Sequence, residues 1–453
     1  MRNESNSGPC HRYPKGFRKK RIFNWVTLGI TYASYYMCRY NFRSATPYLV
    51  QEFHFSKTDI STLWAAFSFA YGTGQLINGL FSDRIGGKNA MLIGGFGTIA
   101  INLVCGFSPL ISTFSTFSII LLLNGYLQSW GAPGMVKINA AWFRRQERGT
   151  FSGIFGFMVQ LGQMVTAQLA PLILTGFAIG TFVIAENQWQ WLFRIPPLIA
   201  ATALILIAFI VKESPEDAGF PEDTIVDEID DEDGVRVPLR ESFETIFKHP
   251  LVWYYALAYA CTGAARHSSD QLAALFFVEK LHLQGNGSGL VMWALTLIPF
   301  VGVLGSLLSG WFSDKYLLGQ RAPVAMALYF MAAVTFFCGG LLMNLKSIDA
   351  IIGVGLLVAS SFPINATHSI VGAAAPMDIG GKKMAGFASG VIDSFQYYGS
   401  ALAMPLIGWL LDKYGWIAWF PAMGVFCVVG GFTMKKLSLK KEKLIKMGIV
   451  VSG

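Results

Sequence analysis

Two arginines, Arg39 and Arg266, lie inside long apolar segments of the chain, where charged side chains are rare. A guanidinium at membrane depth costs at least about 2.5 kcal/mol on insertion scales, so it normally faces a cavity, a polar partner or an anion. Arginine stays charged and presents a planar fork of donors that matches a phosphate or a carboxylate. Two such side chains facing one cavity would therefore select an anion.

The composition shows which kind of protein holds these arginines. Of 453 residues, 53% are hydrophobic and only 14% are charged, and the mean hydropathy is +0.47. A soluble protein would carry roughly 25% charged residues. The 48 glycines suit closely packed membrane helices, and the six cysteines show no metal-ligand or disulfide spacing. The composition predicts a polytopic membrane protein.

Apolar runs of about 20 residues, separated by charged residues, Gly, Pro, Asn or Asp, predict twelve membrane-spanning helices. The first six lie near 22–50, 59–82, 89–110, 114–143, 148–178 and 189–211, and the second six near 250–280, 288–313, 322–344, 349–376, 384–411 and 416–434. We therefore expect an all-α membrane protein with two six-helix halves.

Charge divides the chain into tails, halves and a linker. The predicted segments are a basic N-terminal tail at 1–21, a first half at 22–211, an acidic linker at 212–249, a second half at 250–434 and a basic C-terminal tail at 435–453. The linker holds 13 of the 27 acidic residues. Its pattern is typical of a solvated loop and not of a calcium loop, because it lacks the glycine and register of one.

The basic residues predict the orientation. Twelve spans place both termini on one side, and we assign 26 of the 35 Lys and Arg residues to that side and four to the other, namely Lys57, Lys280, Lys346 and Lys413. This bias places both termini and the linker in the cytoplasm. The basic run before the first span fits a topology signal or contact with anionic lipids better than nucleic-acid binding.

The two halves repeat the same landmarks at nearly constant spacing. The segment Gly79–Lys88 returns as Gly310–Lys315, and the offset between these segments is close to the offset between Arg39 and Arg266. A third echo pairs Gly149–Gly153 with Gly386–Gly390 at a similar offset. Parallel six-helix repeats are the architecture of rocker-type transporters, whose substrate site lies near the midplane between the halves.

The segment Gly79–Lys88 resembles the loop motif of the major facilitator superfamily, G-x-x-x-D-[RK]-x-G-x-[RK]. Charges at such a helix end pair with helix dipoles and neighbouring helices, and they hold one face closed until the halves rock. The candidate gating residues are Asp83, Arg84, Lys88, Arg148, Asp314 and Lys315.

Within that superfamily the chain resembles the organophosphate:phosphate antiporters over nearly its whole length. The segments that carry the resemblance are Tyr32–Phe42, Ala70–Gly72, Gly79–Arg84, Trp142-Phe143 and Glu147–Gly149. The resemblance implies that Arg39 and Arg266 clamp the phosphate of the substrate. Two positions depart from the family pattern, because Val159 replaces a histidine and Gln75 replaces a lysine.

Further polar residues fall in the spans expected to line the cavity. They are Tyr36, Tyr71, Gln75, Lys137, Gln160, His267, Asp270, His368, Asp393, Gln396 and Tyr397. A sugar or polyol needs such donors and acceptors, but each could instead make an interhelical hydrogen bond. Arg266 could pair with Asp270 one turn on, and Lys137 suits a gating or structural role equally well. Arg43, one turn beyond Arg39, could extend the clamp, but we expect it to extend towards the outer membrane interface.

These observations predict a secondary transporter that exchanges a small organophosphate, such as a sugar phosphate or glycerol 3-phosphate, for inorganic phosphate. The alternatives are a proton-coupled symporter of another organic anion, which would use Asp270 or Asp393, and a membrane sensor of sugar phosphates. The sequence shows no catalytic or phosphate-loop motif. We expect no enzyme activity, cofactor, metal or nucleic-acid partner, and a functional monomer in a bacterial inner membrane.

Overall fold

The computed structural model describes residues 13–143, 145–179, 181–221, 248, 250–283, 288–317, 321–344, 349–379 and 381–446. Most of the predicted acidic linker, the start of the N-terminal tail and residues 447–453 lie outside these ranges.

The first half is built from helices α1 (Phe17–Phe53), α2 (Lys57–Ile85), α3 (Gly87–Phe107), α4 (Phe114–Gln128), α5 (Gly131–Trp142), α6 (Arg145–Leu174) and α7 (Ile195–Ile210). Helices α4 and α5 together form the predicted fourth span, with a break at Ser129-Trp130 that the apolar pattern did not show. Strands β1 (Phe177–Ile179) and β2 (Phe182–Ile184) form an antiparallel hairpin after α6. A 3-10 turn, Trp189–Phe193, then leads into α7.

The second half is built from α8 (Pro250–Glu279), α9 (Ser288–Tyr316), α10 (Arg321–Met343), α11 (Ala350–Ile379), α12 (Gly381–Tyr414) and α13 (Trp419–Lys446). Each of the twelve predicted spans therefore coincides with helix in the described ranges, and the predicted fold class is confirmed. The last helix continues to Lys446, so part of the predicted basic tail is helical.

The outer surface of the bundle suits a lipid environment. Large apolar side chains point outward, and the exposed fractions of Leu402, Phe209 and Leu341 are 83%, 79% and 71%. Six described segments are long and apolar enough on their own to cross a membrane. They are Gly87–Phe107, Trp189–Ile210, Gly289–Ser313, Arg321–Met343, Ala350–Gly372 and Trp419–Lys440. The polar residues of the bundle instead point inward: α1 alone buries Asn24, Arg39, Asn41 and Arg43.

The halves meet along three helix pairs, α1 with α8, α2 with α12 and α6 with α9. The hydroxyls of Ser68 and Ser400 lie 3.2 Å apart between α2 and α12. Between α6 and α9, the Gln168 side-chain amide donates to the Thr296 hydroxyl at 2.7 Å. Helices of the two halves are therefore joined by polar contacts as well as by packing.

The end of the bundle opposite to the chain termini, called the far end below, holds a group of charged contacts between the halves. The Asp412 carboxylate accepts hydrogen bonds from the backbone N–H of Lys57 at 2.9 Å and of Thr58 at 2.8 Å, and from the Thr58 hydroxyl at 2.6 Å. Lys57 Nζ lies 3.1 Å from Glu279 Oε2. We call these four residues the far-end contact; it joins the start of α2 to the ends of α8 and α12.

The end that carries the termini, called the tail end, holds a similar cap, which joins the first residues of the predicted linker to the first half. The Glu213 carboxylate accepts from the backbone N–H of Gly87 at 3.0 Å and of Lys88 at 2.6 Å, at the start of α3. Lys212 and Asn24 bond reciprocally, with Lys212 N donating to Asn24 Oδ1 at 2.7 Å and Asn24 Nδ2 donating to Lys212 O at 3.2 Å. These bonds fix the chain after α7 against α1 and α3.

Candidate substrate-binding site

Arg39 lies in the middle of α1, with 6% of its surface exposed, and is surrounded by aromatic rings. Its guanidinium carbon lies 4.4 Å from the centroid of the Tyr71 ring, 4.6 Å from Tyr36 and 5.1 Å from Phe67. Aromatic faces attract a cation, and the attraction grows when water is excluded. Arg39 Nε also donates to Gln128 Oε1 at 2.8 Å. The rings and the amide hold the guanidinium without neutralising its charge.

Arg266 occupies the matching place on α8, and 8% of its surface is exposed. Its Nε donates to Asn365 Oδ1 of α11 at 3.0 Å. Asp270 lies on the same helix within electrostatic range of this guanidinium, as do the hydroxyls of Tyr36 and Tyr40 from the other half. The two arginines are thus held alike at Nε, but Arg266 has Asp270 near it on its own helix, whereas the residues packed around Arg39 are aromatic.

The two arginines face one shared polar centre. His267, Asp393 and Tyr36 each lie within electrostatic range of both guanidiniums. The halves touch here through aromatic rings, because the centroids of Tyr71 on α2 and Tyr397 on α12 lie 4.4 Å apart. The His267 ring lies 5.1 Å from that of Tyr397. A ligand at this centre would contact both halves at once.

Asp393 lies at the edge of this centre within a hydrogen-bonded group. Its carboxylate lies within interaction range of the side chains of Gln75, from the other half, and of Tyr259. The Tyr259 hydroxyl also lies 2.8 Å from His368 Nδ1, and the two rings stack. Asp393 therefore connects the polar residues of α2, α8 and α11.

Several buried polar atoms around this centre have no hydrogen-bond partner within the described protein. They are Arg39 Nη2, Gln75 Oε1, His267 Nδ1, Gln271 Oε1 and Gln396 Nε2. Nearly all buried polar groups in folded proteins are hydrogen-bonded. The clustering of donors and acceptors from both halves is therefore typical of a binding site for a polar ligand.

Two predicted site residues are bonded elsewhere. Lys137 Nζ donates to the Ser82 carbonyl at 3.0 Å, at the tail end of α2, which favours the gating or structural alternative for this lysine. Gln160 is buried and accepts a bond from Gln163 on its own helix at 2.9 Å. The side chain of Val159, where the family pattern has a histidine, lies outside the described residues.

The expectation for Arg43 was wrong. Its side chain has no exposed surface, and Nη1 donates to the Asp270 backbone carbonyl of α8 at 3.5 Å. Its guanidinium also lies 4.6 Å from the Tyr40 ring. Arg43 faces the other half and not the lipid, because α8 packs against this face of α1 and supplies an acceptor there.

The Major Facilitator Superfamily profile matches residues 28–402 of this chain, which include the two arginines and both motif loops. The chain belongs to the major facilitator superfamily. Membership of this transporter superfamily confirms the prediction that the chain is not an enzyme.

Curated relatives of this superfamily member align along most of its length. It is 28% identical to the glycerol-3-phosphate transporter of Bacillus subtilis, over 91% of each chain. It is 25% identical to the membrane sensor protein UhpC of Escherichia coli, over 88% of each chain. It is 26% identical to a probable hexose phosphate transport protein of Chlamydia pneumoniae, over 90% of this chain and 89% of that one. These relatives confirm the predicted resemblance to the organophosphate:phosphate antiporters.

Solved structures of other transporters show the same fold. The TM-score is 0.69 against a bacterial homologue of the lysosomal transporter Spinster, at 13% identity, covering 94% of this chain and 97% of that one. It is 0.67 against a D-xylose-proton symporter, at 14% identity, covering 92% and 97%. At such identities the likeness concerns the architecture alone.

The superfamily's loop motif forms the junction of α2 and α3 at the tail end. Arg84 is exposed, and Lys88 Nζ donates to the Ala208 carbonyl at 2.6 Å. In the second copy Lys315 is exposed and lies 4.7 Å from the Trp311 ring. The side chains of Asp83, Arg148 and Asp314 lie outside the described residues, so the gating role of the motif stays a prediction.

Sequence reasoning missed three residues that shape the site. Gln128 and Asn365 hold the arginines, and Tyr259 lies within interaction range of Asp393. The duplication carried a usable signal for the first two, because the offset between these amides equals the offset between Gly149 and Gly386. Among the described residues, no group of three His, Cys, Asp or Glu side chains is arranged to hold a metal.

Proposed function

We propose that this protein exchanges a small organophosphate for inorganic phosphate by alternating access of a site between its two halves. The observation that carries the proposal is the pair of matched arginines, buried in equivalent helices and in electrostatic range of the same three groups. An organophosphate is also what the names of its transporter relatives indicate.

The phosphate would lie between the guanidiniums of Arg39 and Arg266, which supply planar forks of donors. Two unpaired cations repel each other when the halves approach, whereas a bound dianion removes that repulsion. Rocking is then favoured with substrate bound, and exchange follows. Hydroxyls of Tyr36, Tyr71 and Tyr397 lie beside the clamp and suit the organic group, such as glycerol or a sugar.

We assign the ends of the molecule from the basic residues. The tail end, with both termini and the acidic linker, would face the cytoplasm, and the far end would face outward. The halves at 22–211 and 250–434 would then rock as units across a bacterial inner membrane.

The test is phosphate exchange in liposomes that contain the purified full-length protein. Vesicles loaded with phosphate should take up labelled glycerol 3-phosphate or a hexose phosphate, and Arg39→Lys and Arg266→Lys should each lose at least tenfold in rate, because lysine lacks the bidentate fork. Arg194→Lys is a matched control outside the site, where the Nε donates to the Gly106 carbonyl at 2.8 Å. Full exchange by either clamp variant would refute the clamp.

Two rival functions have observations of their own. Asp393 lies within interaction range of Gln75 and Tyr259 beside the clamp, as a proton-coupled symporter would need; uptake that requires a proton gradient and no internal phosphate would establish that rival. A sensor is favoured by the likeness to UhpC. Binding of a hexose phosphate without any transport would establish the sensor instead.

A further inference from the structure

Each clamp arginine is held by an uncharged amide in an equivalent position of its own half. Gln128 Oε1 accepts from Arg39 Nε at 2.8 Å, and Asn365 Oδ1 accepts from Arg266 Nε at 3.0 Å. The offset between the two amides equals that between Gly149 and Gly386 and is close to that between the two arginines. The arrangement is therefore part of the internal repeat.

The amides are locked so that only the oxygen faces the arginine. Gln128 Nε2 donates to the Cys38 carbonyl at 3.4 Å and to Asn124 Oδ1 at 3.2 Å. Asn365 Nδ2 donates to the Ser361 carbonyl at 3.0 Å and to its hydroxyl at 3.3 Å. Because the amide donors are used within the half, each amide presents a fixed acceptor.

The groups that bond with the two amides belong to buried hydrogen-bond networks. In the first half, Asn102 Nδ2 donates to Asn124 at 3.4 Å, and Asn41 Nδ2 donates to Asn102 at 2.7 Å and to the Leu192 carbonyl at 3.1 Å. In the second half, the Ser361 hydroxyl donates to the Ile298 carbonyl. Gln128 is completely buried and Asn365 is 5% exposed. Such positions cannot easily move when the halves rock.

The chemistry of the acceptor decides how much charge the arginine keeps. A carboxylate at this place would also bond to Nε, but it would neutralise the guanidinium and compete with an anion. An amide fixes the orientation and itself removes none of the positive charge; the carboxylates in electrostatic range, Asp270 and Asp393, lie elsewhere around the clamp. Arg39 Nη2 indeed has no partner within the described protein.

We propose that Gln128 and Asn365 are positioning residues that orient the two guanidiniums towards phosphate without neutralising their charge. This inference rests on the proposed function, since it assumes that the clamp binds phosphate. It assigns the two amides a part in anion affinity, beyond joining helices within each half.

The substitution Gln128→Glu tests the effect of charge, because it keeps the size and the acceptor oxygen and adds a negative charge. It also replaces the donor to the Cys38 carbonyl and to Asn124 by an oxygen. The probe is inorganic phosphate, titrated calorimetrically against the purified full-length protein, with thermal unfolding measured in parallel. We expect Gln128→Glu and Asn365→Asp to raise the Kd for phosphate at least thirtyfold, and the unfolding measurement to report separately the stability that is lost with the amide donors. Gln128→Met, which removes the acceptor, should raise the Kd several-fold.

Asn102→Asp is the matched control, because it adds a buried carboxylate to the same network two hydrogen bonds away from Gln128. We expect it to raise the Kd far less than Gln128→Glu. If the wild type binds phosphate and both carboxylate variants bind it equally well, the positioning role is wrong. A wild type that binds no phosphate would overturn the proposed function as well. In exchange assays the variants should raise the KM for phosphate more than they lower the maximal rate; the reverse would indicate a purely structural role.

Discussion

The molecule uses a carboxylate to cap a helix N-terminus at each end, but the two caps connect different parts. At the tail end, Glu213, the second residue of the predicted linker, caps α3 of the first half. At the far end, Asp412 of the second half caps α2 of the first, through three hydrogen bonds. Rocking would leave the first cap intact and must break the second. If the halves rock as proposed, the same interaction would be permanent at one end and releasable at the other.

The surroundings of the two caps differ in a way that suits these roles. The Glu213 cap is surrounded by further bonds within the half, including those of Lys212 with Asn24 and with the Trp142 indole, which donates to the Lys212 carbonyl at 3.0 Å. Asp412 is exposed to solvent, where charged interactions are weak and reversible. Water can replace the partners of Asp412 when the halves separate.

The largest expected effect comes from Gly408, one helical turn before Asp412. A Cβ atom there would lie 2.7 Å from both the Lys57 carbonyl oxygen and the Thr58 Cα, which are backbone atoms that cannot rotate away. We expect Gly408→Ala to raise the ratio of open to closed far end about tenfold or more, because overpacking of this kind costs about 1–3 kcal/mol. Distances between spin labels at Gln51→Cys and Lys413→Cys, in a chain otherwise free of cysteine, would measure the shift.

Gly355→Ala is the control for that experiment, since a Cβ at Gly355 meets nothing within 4 Å. It should leave the label distances unchanged. A closed far end in Gly408→Ala would show that α2 and α12 do not need this close approach.

Asp412→Asn and Glu213→Gln test the comparison directly. Asn and Gln keep one acceptor oxygen, but they set an NH2 group against the N–H donors and remove the charge that favours a helix N-terminus. We therefore expect part of the about 0.5–2 kcal/mol that the loss of a whole cap costs. Asp412→Asn should raise the open fraction at the far end about threefold to tenfold and change the melting temperature little. Glu213→Gln should lower the melting temperature by a few degrees and leave the label distances as they are. Equal behaviour of the two variants would remove the distinction between the caps.

The pH dependence of the far end follows from Asp412, which lies beyond the predicted span. Burial raises the pKa of this carboxyl, but hydrogen bonds from the Thr58 hydroxyl and from the N–H groups of Thr58 and Lys57 outweigh it, so the pKa lies below its ordinary value of 3.8. A carboxyl with a depressed pKa contributes stability above its ordinary pKa and loses it as the pH falls through the lowered value.

We therefore expect the far end to stay closed from neutral pH down to about pH 4 and to open progressively below that pH. The same spin labels would report it. The acid-induced opening should be absent in Asp412→Asn, which cannot titrate; opening at the same pH in that variant would assign it to another group.

The sequence predicted the helices well and the contacts between the halves poorly. Hydropathy placed all twelve spans, and the duplication singled out Arg39 and Arg266, because both signals are local or repeated along the chain. The partnership of Asp412 with Thr58 joins residues 354 positions apart and depends on how the halves dock. One clue was present, since Gly408-x-x-x-Asp412-Lys413 repeats the pattern of Gly310-x-x-x-Asp314-Lys315.

The sequence also predicted the partners of buried polar side chains poorly. The sequence favoured the outer membrane interface as the surroundings of Arg43, whereas the packing of α8 made it an internal donor. Likewise, Gln128 looks like an ordinary membrane-helix glutamine until the Arg39 Nε is found beside it. Which face of a helix meets another helix is a tertiary property that a single apolar pattern does not encode.

The smallest expected effect concerns the ion pair of Lys57 with Glu279, which completes the far-end contact. The side chains are 24% and 27% exposed, and pairs of this kind contribute about 0.2–1 kcal/mol. Glu279 also accepts from the Trp416 indole at 3.2 Å, so Lys57→Met should leave Glu279 in place and raise the open fraction less than fivefold. Raising the ionic strength to about 1 M should abolish the difference between Lys57→Met and wild type, because salt screens exposed charges. A difference that persists at high salt would mean that Lys57 acts through packing of its side chain. The far-end contact would then depend on packing, like the tail-end cap, although its side chains are partly exposed.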